Sequence, residues 1–298
     1  MDDNEYKKKV MRVGITTIIW NAILSIGKII VGIISGAASL VSDGFHSMSD
    51  VFSTFIVMIG AKISTKKEDN DHPFGHERFE SIASIILSFL LFDTAAILGY
   101  KGILSIIDYT NGILPEKTKF IYVALVCAIL SIVIKFFMYV YTKRAARQIN
   151  STALKADAYH HLSDSLSSFG SLIGIIGMII GGYYSIFDPI ASIIIALFII
   201  YVSIDILRES INQLVDKSAP KETEDNMRKL IMSCDNVLDI SSLKTRVFGN
   251  RLYVEVEIVV DGNMSVIQGH DIAHNVHDLI EEKYSNVKHC MVHVDPKI

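Results

Sequence analysis

Two pairs of a histidine and an aspartate stand out in this chain, because each pair is spaced four residues apart within a largely apolar stretch. His46 and Asp50 form the first pair, and His160 and Asp164 form the second. On an α-helix this spacing places the imidazole and the carboxylate on the same face. A carboxylate inside a membrane span is energetically unfavourable and by default marks a functional site. Together the four side chains offer two nitrogen and two oxygen ligands, a set that suits a tetrahedral divalent metal ion.

The two motifs are predicted to meet at the same depth in a membrane. Asp50 lies about twelve residues, or ~18 Å, from the outer end of its span, and Asp164 about ten residues, or ~15 Å, from the inner end of its span. A divalent ion would be neutralised by the two carboxylates, whereas the empty site would hold two buried negative charges. We therefore expect protons to enter as metal leaves. Either motif alone is equally well explained by an internally hydrogen-bonded polar position.

Two further clusters contain metal-ligand residue types. Asp69, His72 and His76 lie within eight residues of a polar loop, where the alternative is a Pro/Gly turn with solvated side chains. Near the end of the chain, His293 and Asp295 share one strand face at a period of two, and Glu257 and His270 are candidates to join them. The other histidines of that region, His274, His277 and His289, are expected to be surface residues.

The composition indicates a membrane domain followed by a small soluble domain. Of the 298 residues 50% are hydrophobic, the mean hydropathy is +0.39, and the apolar residues concentrate before about residue 214. We predict a charged cytoplasmic tail over residues 1–12, a membrane domain over 13–213 and a cytoplasmic domain over 214–298. A net charge of −4 without a basic patch argues against a nucleic-acid partner. The three cysteines are too far apart to indicate a disulfide framework or a zinc knuckle.

Six helical spans are predicted in the membrane domain. Lys and Arg concentrate before the first span, between the second and third, and between the fourth and fifth, so both termini are expected in the cytoplasm. The second and fifth spans carry the motifs and are the least apolar, so they should be buried among the others. The spans are residues 13–33, 39–63, 79–107, 119–141, 154–180 and 186–206.

The soluble part reads as helix, strand, strand, helix, strand. Residues 221–233 and 265–284 have helical patterns, and residues 240–248, 252–260 and 287–294 have strand patterns. The two central strands are joined at Gly249-Asn250, a hairpin signal. This αββαβ order predicts a small open sheet with both helices on one face.

With these residues in place, the chain resembles the cation diffusion facilitator family over essentially its whole length. The matching segments are S-D-G-F-H-S-M-S-D at 42–50, D-x-x-H-P-F-G-H at 69–76, A-D-A-Y-H-H-L-S-D at 156–164 and H-V-D-P at 293–296. The resemblance implies a multi-pass protein of the bacterial plasma membrane with a metallochaperone-like cytoplasmic domain. It also implies a homodimer that exports divalent metal from the cytoplasm, generally against protons.

The resemblance also assigns roles to residues. It implies a transport site of His46, Asp50, His160 and Asp164, and a loop site of Asp69, His72 and His76. In the soluble domain it carries over to His270, His293 and Asp295, while Glu257 stands where some members have histidine. A His-rich loop between the fourth and fifth spans is absent here, and the chain looks closer to the zinc/iron-type bacterial branch.

Zn²⁺ is the expected substrate and regulatory ligand, because imidazole ligands favour it over hard ions such as Mg²⁺ or Mn²⁺. Fe²⁺, Mn²⁺, Co²⁺ and Cd²⁺ remain alternatives, and no organic cofactor is expected. An intramembrane metalloenzyme would keep an open coordination position and a general base, which four protein ligands without an adjacent Glu do not provide. A membrane-anchored metal sensor is the other alternative, but it would have no use for paired ligands deep in the membrane.

Overall fold

The computed structural model describes residues 3–35, 38–112, 121–180, 186–249 and 251–297. They form two compact units, one up to residue 210 and one from residue 211 onward. The first unit is built from long helices, and the second contains the three strands.

Within the part of the membrane unit that the structure describes there are six helices, as the sequence predicts. α1, α3, α4 and α6 are long and apolar enough to cross a membrane. α2 and α5 have comparable lengths of 27 and 29 residues, but they carry the His and Asp motifs that lower their hydropathy. The helices are α1 (Asp3–Ser35), α2 (Ala38–Ser64), α3 (Arg78–Thr110), α4 (Ile121–Ile149), α5 (Thr152–Ile180) and α6 (Phe187–Leu214).

A two-residue turn joins α4 and α5 into an antiparallel hairpin. Asn150 adopts the left-handed conformation with φ 50°, which ends α4, and the Ser151 hydroxyl accepts a hydrogen bond from the Leu154 backbone N–H at 3.2 Å. The described buried side chains of α4 include Ser131, Lys135, Met138 and Thr142. Their spacing of four, three and four residues defines a single stripe. In a hairpin with so short a turn, residues at equal distances from the turn face each other.

Small residues allow α2 to approach its neighbours closely. A Cβ atom added to Gly60 would lie 2.6 Å from the Cβ atom of Ala83 on α3, and one added to Gly44 would lie 2.6 Å from Cγ1 of Ile29 on α1. Helices in membranes commonly pack through such small residues, since lipid supplies no hydrophobic driving force between them. The two glycines therefore let α2, which carries Asp50, sit close to both α1 and α3.

The soluble unit has the predicted αββαβ order. Its elements are α7 (Lys221–Met232), β1 (Asp239–Phe248), β2 (Arg251–Asp261), α8 (Val266–Lys283) and β3 (Val287–Lys297). The sheet order is β1-β2-β3, with β1 antiparallel and β3 parallel to β2. The even-numbered residues of β2 from Leu252 to Val260 pack with Met227 and Ile231 of α7 and with Ile272, Val276 and Ile280 of α8, so both helices cover one face.

The start of α8 follows directly from its sequence. The Ser265 hydroxyl accepts a hydrogen bond from the backbone N–H of Gln268, and the Gln268 side chain accepts one from the backbone N–H of Ser265. This reciprocal capping box fixes the first turn of the helix. The buried residues Ile272, Val276 and Ile280 then recur at helical spacing and turn one face of α8 toward the sheet.

A pair of glycine substitutions tests the packing of α2. Gly60→Ala places a methyl group against Ala83 and should lower the stability of the protein in detergent by about 1–3 kcal/mol, the usual effect of overpacking. Gly27→Ala is the matched control, because nothing lies within 4 Å of the added Cβ atom. Its better helix propensity should leave the midpoint of thermal unfolding unchanged or raise it. Equal midpoints for the two variants would contradict the close α2–α3 contact.

Candidate metal centre

The structure brings three of the four residues of the paired motifs together in the interior of the membrane unit. Asp50 comes from α2, and His160 and Asp164 come from α5. The Nε2 atom of His160 lies 3.4 Å from Oδ1 of Asp50 and 4.0 Å from Oδ2 of Asp164. One ligand atom from each residue lies within 4.8 Å of the others, a spacing that a single metal ion can span. The side chain of His46 lies outside the described part of the structure, although its position on α2 is one turn before Asp50.

A lysine that the sequence interpretation did not assign to the site is at its centre. Lys135 of α4 donates through Nζ to Oδ2 of Asp50 at 2.6 Å and to Oδ2 of Asp164 at 2.7 Å. The side chains of Lys135, Asp50 and Asp164 are 2%, 4% and 9% exposed. A charged group this deeply buried requires a partner of opposite sign. The ammonium group of Lys135 therefore neutralises the buried carboxylates of Asp50 and Asp164.

The α4–α5 hairpin explains how Lys135 reaches this position. Lys135 lies fourteen residues before the end of α4, and Asp164 lies twelve residues after the start of α5. At ~1.5 Å per residue, both are therefore ~18–21 Å from the turn. The short Asn-Ser link at 150–151 was a sequence signal for this hairpin. Comparing the distances of α4 and α5 residues from that link would have shown that Lys135 lies level with Asp164.

A second buried pair on α5 holds this helix against α2. Asp157 and His161 are both fully buried, and Nε2 of His161 lies 3.6 Å from Oδ2 of Asp157. The other carboxylate oxygen of Asp157 accepts hydrogen bonds from the hydroxyls of Thr54 at 3.2 Å and Ser53 at 3.4 Å, both on α2. Ser53 also donates to the backbone carbonyl of Asp50 at 2.7 Å. This network connects α5 to the part of α2 that carries Asp50.

The first turn of α5 is anchored by an acidic residue of α3. Glu80 is buried and accepts backbone hydrogen bonds from Thr152 and Ala153, as well as a side-chain hydrogen bond from Ser151. A carboxylate is favoured at a helix N-terminus, where the backbone N–H groups have no partner within the helix. Glu80 therefore holds the N-terminal end of α5 in place, and this sets the depth of His160 along the helix.

The loop residues Asp69, His72 and His76 form a second compact group. Oδ1 of Asp69 lies 3.2 Å from Nδ1 of His72, Oδ2 lies 3.4 Å from Nε2 of His76, and the two imidazole rings are 4.4 Å apart. A hydrogen bond from Lys66, with further ones from His72, holds the pKa of Asp69 well below its ordinary value. An ionised carboxylate and two imidazoles within reach of one another are suitable ligands for a divalent ion.

In the soluble unit the predicted ligands are only partly brought together. Glu257 of β2 and His293 of β3 are paired in the parallel register, and Nε2 of His293 lies 3.3 Å from Oδ1 of Asp295. His270 lies on α8, where its ring contacts that of His274. Among the described residues, no group of three ligand atoms mutually within 4.8 Å includes any of these four. A metal site of Glu257, His270, His293 and Asp295 stays a prediction.

A different cluster, His277, Glu281 and His289, does meet this distance criterion. It lies at the outer edge of β3, which among the described residues pairs with β2 alone. The Cys290 N–H donates to Glu281 at 3.0 Å, and Nδ1 of His277 lies 2.6 Å from the Cys290 carbonyl. The cluster thus covers an exposed sheet edge, a structural need that the sequence pattern did not reveal. Burial and Glu281 raise the pKa of the Cys290 thiol to about 12, so without a bound metal the thiol is protonated at neutral pH.

Apolar helices, buried metal-ligand side chains and an αββαβ soluble unit together are typical of membrane transporters of metal ions. Comparisons with known proteins identify the family. Residues 15–215 match the model of the cation efflux transmembrane domain, and residues 219–297 match that of the cation efflux protein cytoplasmic domain, a dimerisation model. The chain belongs to the cation efflux family, also called the cation diffusion facilitators. It therefore belongs to a family of metal-cation transporters.

Two relatives are similar to this chain along almost their full lengths. The chain is 38% identical over 281 residues to an uncharacterised transporter of Methanocaldococcus jannaschii, MJ0449, covering 94% of this chain and 96% of the relative. It is 32% identical over 290 residues to the manganese efflux system protein MneP of Bacillus subtilis, covering 96% and 95%. Among solved structures, a cadmium form of a MamM C-terminal domain variant covers 26% of this chain and 98% of that chain, at 19% identity and a TM-score of 0.26.

Proposed function

We propose that the protein exports a divalent metal ion, Zn²⁺ before others, from the cytoplasm in exchange for protons, through His46, Asp50, His160 and Asp164. The observation that carries this proposal is the meeting of Asp50, His160 and Asp164 in one buried group between α2 and α5. Ionised carboxylate and neutral imidazole are ligands that divalent ions such as Zn²⁺ accept. A buried group of this kind inside a membrane domain is otherwise unfavourable.

The choice of Zn²⁺ rests on the imidazole ligands, since nitrogen donors favour Zn²⁺ over harder ions. A manganese exporter is the second candidate, because the relative MneP, a manganese efflux system protein, is 32% identical over almost the whole chain. Affinity alone does not decide between these metals, since selectivity depends on ligand type, geometry and supply. The two candidates are therefore separated by transport measurements.

The rest of the proposal concerns orientation and assembly. The distribution of Lys and Arg supports cytoplasmic termini, and the dimerisation model that matches residues 219–297 supports a homodimer. The group of Asp69, His72 and His76 would hold an ion near the entrance to the transport site. A regulatory ion would bind to the soluble unit through Glu257, His270, His293 and Asp295. Contacts with the partner chain, or a rearrangement on metal binding, would bring these ligands together.

Flux measurements on one variant test the transport site. Asp164→Ala removes a carboxylate that would bind the ion, so metal flux into proteoliposomes should fall to background. Asp93→Ala is the matched control, because Asp93 is an exposed acidic residue on α3, outside the ligand group. Wild-type flux in folded Asp164→Ala would disprove the proposed site.

Selectivity tests the role of His46. Replacing it with Asp leaves one nitrogen and three oxygen ligands, so transport of Mn²⁺ should rise relative to Zn²⁺. Competition between the two ions in the same vesicles gives the ratio directly. An unchanged ratio would mean that His46 does not bind the transported ion.

Proton exchange has its own test. Lys135 already supplies one positive charge to the carboxylates of Asp50 and Asp164. Fewer protons are therefore needed to balance these carboxylates after the metal leaves than if the lysine were absent. We expect an inward proton gradient to drive metal outward, and metal binding to release protons. Calorimetric titrations in buffers of different ionisation enthalpy measure this release. Binding enthalpies that are the same in every buffer would favour transport without proton exchange.

A further inference from the structure

The position of Lys135 bears on how the proposed site binds and releases its ion. Its Nζ atom bridges the two carboxylates, 2.6 Å from Asp50 and 2.7 Å from Asp164, with both contacts made to Oδ2 atoms. These are two of the side chains that would bind the metal. The ammonium group thus occupies the space between the ligands that the transported ion would occupy.

A metal ion and this ammonium group cannot both occupy the site. A zinc ion bound to a carboxylate lies about 2.0–2.2 Å from the oxygen, so it would lie less than about 5 Å from Nζ if the lysine stayed in place. At this separation, in an interior from which water is largely excluded, two cations repel each other strongly. The lysine would also retain hydrogen bonds to oxygens whose lone pairs the metal requires. Metal binding therefore requires Nζ to leave.

The helix offers the displaced Lys135 a hydrogen-bond acceptor but not an opposite charge, so the displaced position is the less stable of the two and favours return to the carboxylates. Ser131 lies one turn earlier on the same buried stripe of α4, and its hydroxyl is buried with no hydrogen-bond partner among the described residues. Long side chains on a helix lean toward its N-terminus, which is the direction of Ser131. The flexible four-carbon stem of lysine allows Nζ to move along the helix while its backbone stays fixed.

We propose that Lys135 is a tethered counter-cation that competes with the transported metal for Asp50 and Asp164. This inference rests on the proposed transport function. In the metal-free protein Nζ neutralises the two carboxylates; an entering ion displaces it toward Ser131. When Nζ returns, it takes the carboxylates back and favours release of the ion. The lysine thereby weakens equilibrium binding and speeds the emptying of the site, which an exporter needs in order to turn over.

The test compares full-length Lys135→Met with the wild type at pH 8, where proton competition for the carboxylates is reduced. Removing the competing charge should tighten Zn²⁺ binding by about tenfold or more, judging by measured couplings of close charge pairs. Flux should fall, because release becomes slow. Metal-free Lys135→Met should unfold at a lower temperature than the wild type, and Zn²⁺ should raise its unfolding temperature by more. A purely structural lysine would instead destabilise the protein equally with and without metal.

Two further variants complete the test. Lys135→Arg keeps the charge and should bind Zn²⁺ more weakly than Lys135→Met does, and Lys101→Met, which removes an exposed lysine of α3, should leave binding unchanged. Unchanged or weaker binding by Lys135→Met overturns the inference. If that variant folds only when Zn²⁺ is supplied, the inference is supported, and if it fails to fold under both conditions, the inference is rejected.

The double variant Lys135→Met with Asp164→Asn separates the two proposals. Loss of the tight binding places the ion at Asp164, as the proposed function requires. Tight binding that persists in the double variant would mean that the ion binds elsewhere, and the proposed function itself would fail. Wild-type flux that depends on Asp164, together with no gain in affinity for Lys135→Met, would reject the counter-cation alone.

Discussion

Two carboxylates in the interior of a membrane domain require positive charge beside them, and much of the arrangement around Asp50 and Asp164 follows from this requirement. An unpaired buried carboxylate is strongly unfavourable, and breaking a buried ion pair commonly costs about 3–5 kcal/mol. Lys135 meets the requirement within the chain, at 2.6 and 2.7 Å. A transported divalent ion would meet it from outside. Under the proposed function, the same electrostatic demand that Lys135 meets would create the affinity of the site for metal.

This demand also determines which helices lie inside. α2 and α5 carry the charged and hydroxyl side chains, so other helices must cover them. α1 shows the complementary pattern, because Ile15, Ile19, Ile23, Ile26 and Ile30 form an exposed apolar stripe suited to lipid. The hydrogen bonds of Ser53 and Thr54 to Asp157, and of Glu80 to the first turn of α5, then fix α5 in height and rotation. Rigid support of this kind keeps ligand atoms at the spacing an ion needs.

The sequence was sufficient to predict the six membrane helices, the αββαβ domain and the meeting of Asp50 with His160 and Asp164. The helices and strands follow from local periodicity, and the meeting of the two motifs follows from the depth that each reaches within its own span. Lys135 was not predicted as part of the site, because hydropathy treats a single lysine as a minor interruption; its role depends on the height it shares with Asp164 across the α4–α5 hairpin. The cluster of His277, Glu281 and His289 was missed for a similar reason, since residues of α8 and β3 meet only through the sheet edge. His46 stays a prediction.

Among the described residues, the group of His277, Glu281 and His289 and the group of Asp50, His160 and Asp164 meet the same distance criterion but differ in burial, and burial determines what each group can do. His277 and Glu281 are about one-third exposed and are already bonded to the backbone of Cys290. Water can form hydrogen bonds with their remaining polar atoms, so these side chains do not require an ion. Asp50, Asp164 and His160 are screened from water by the surrounding helices and must find a cation inside the protein. A site that requires positive charge, and that would exchange the ammonium group of Lys135 for a metal ion as proposed, would have the physical property that transport requires.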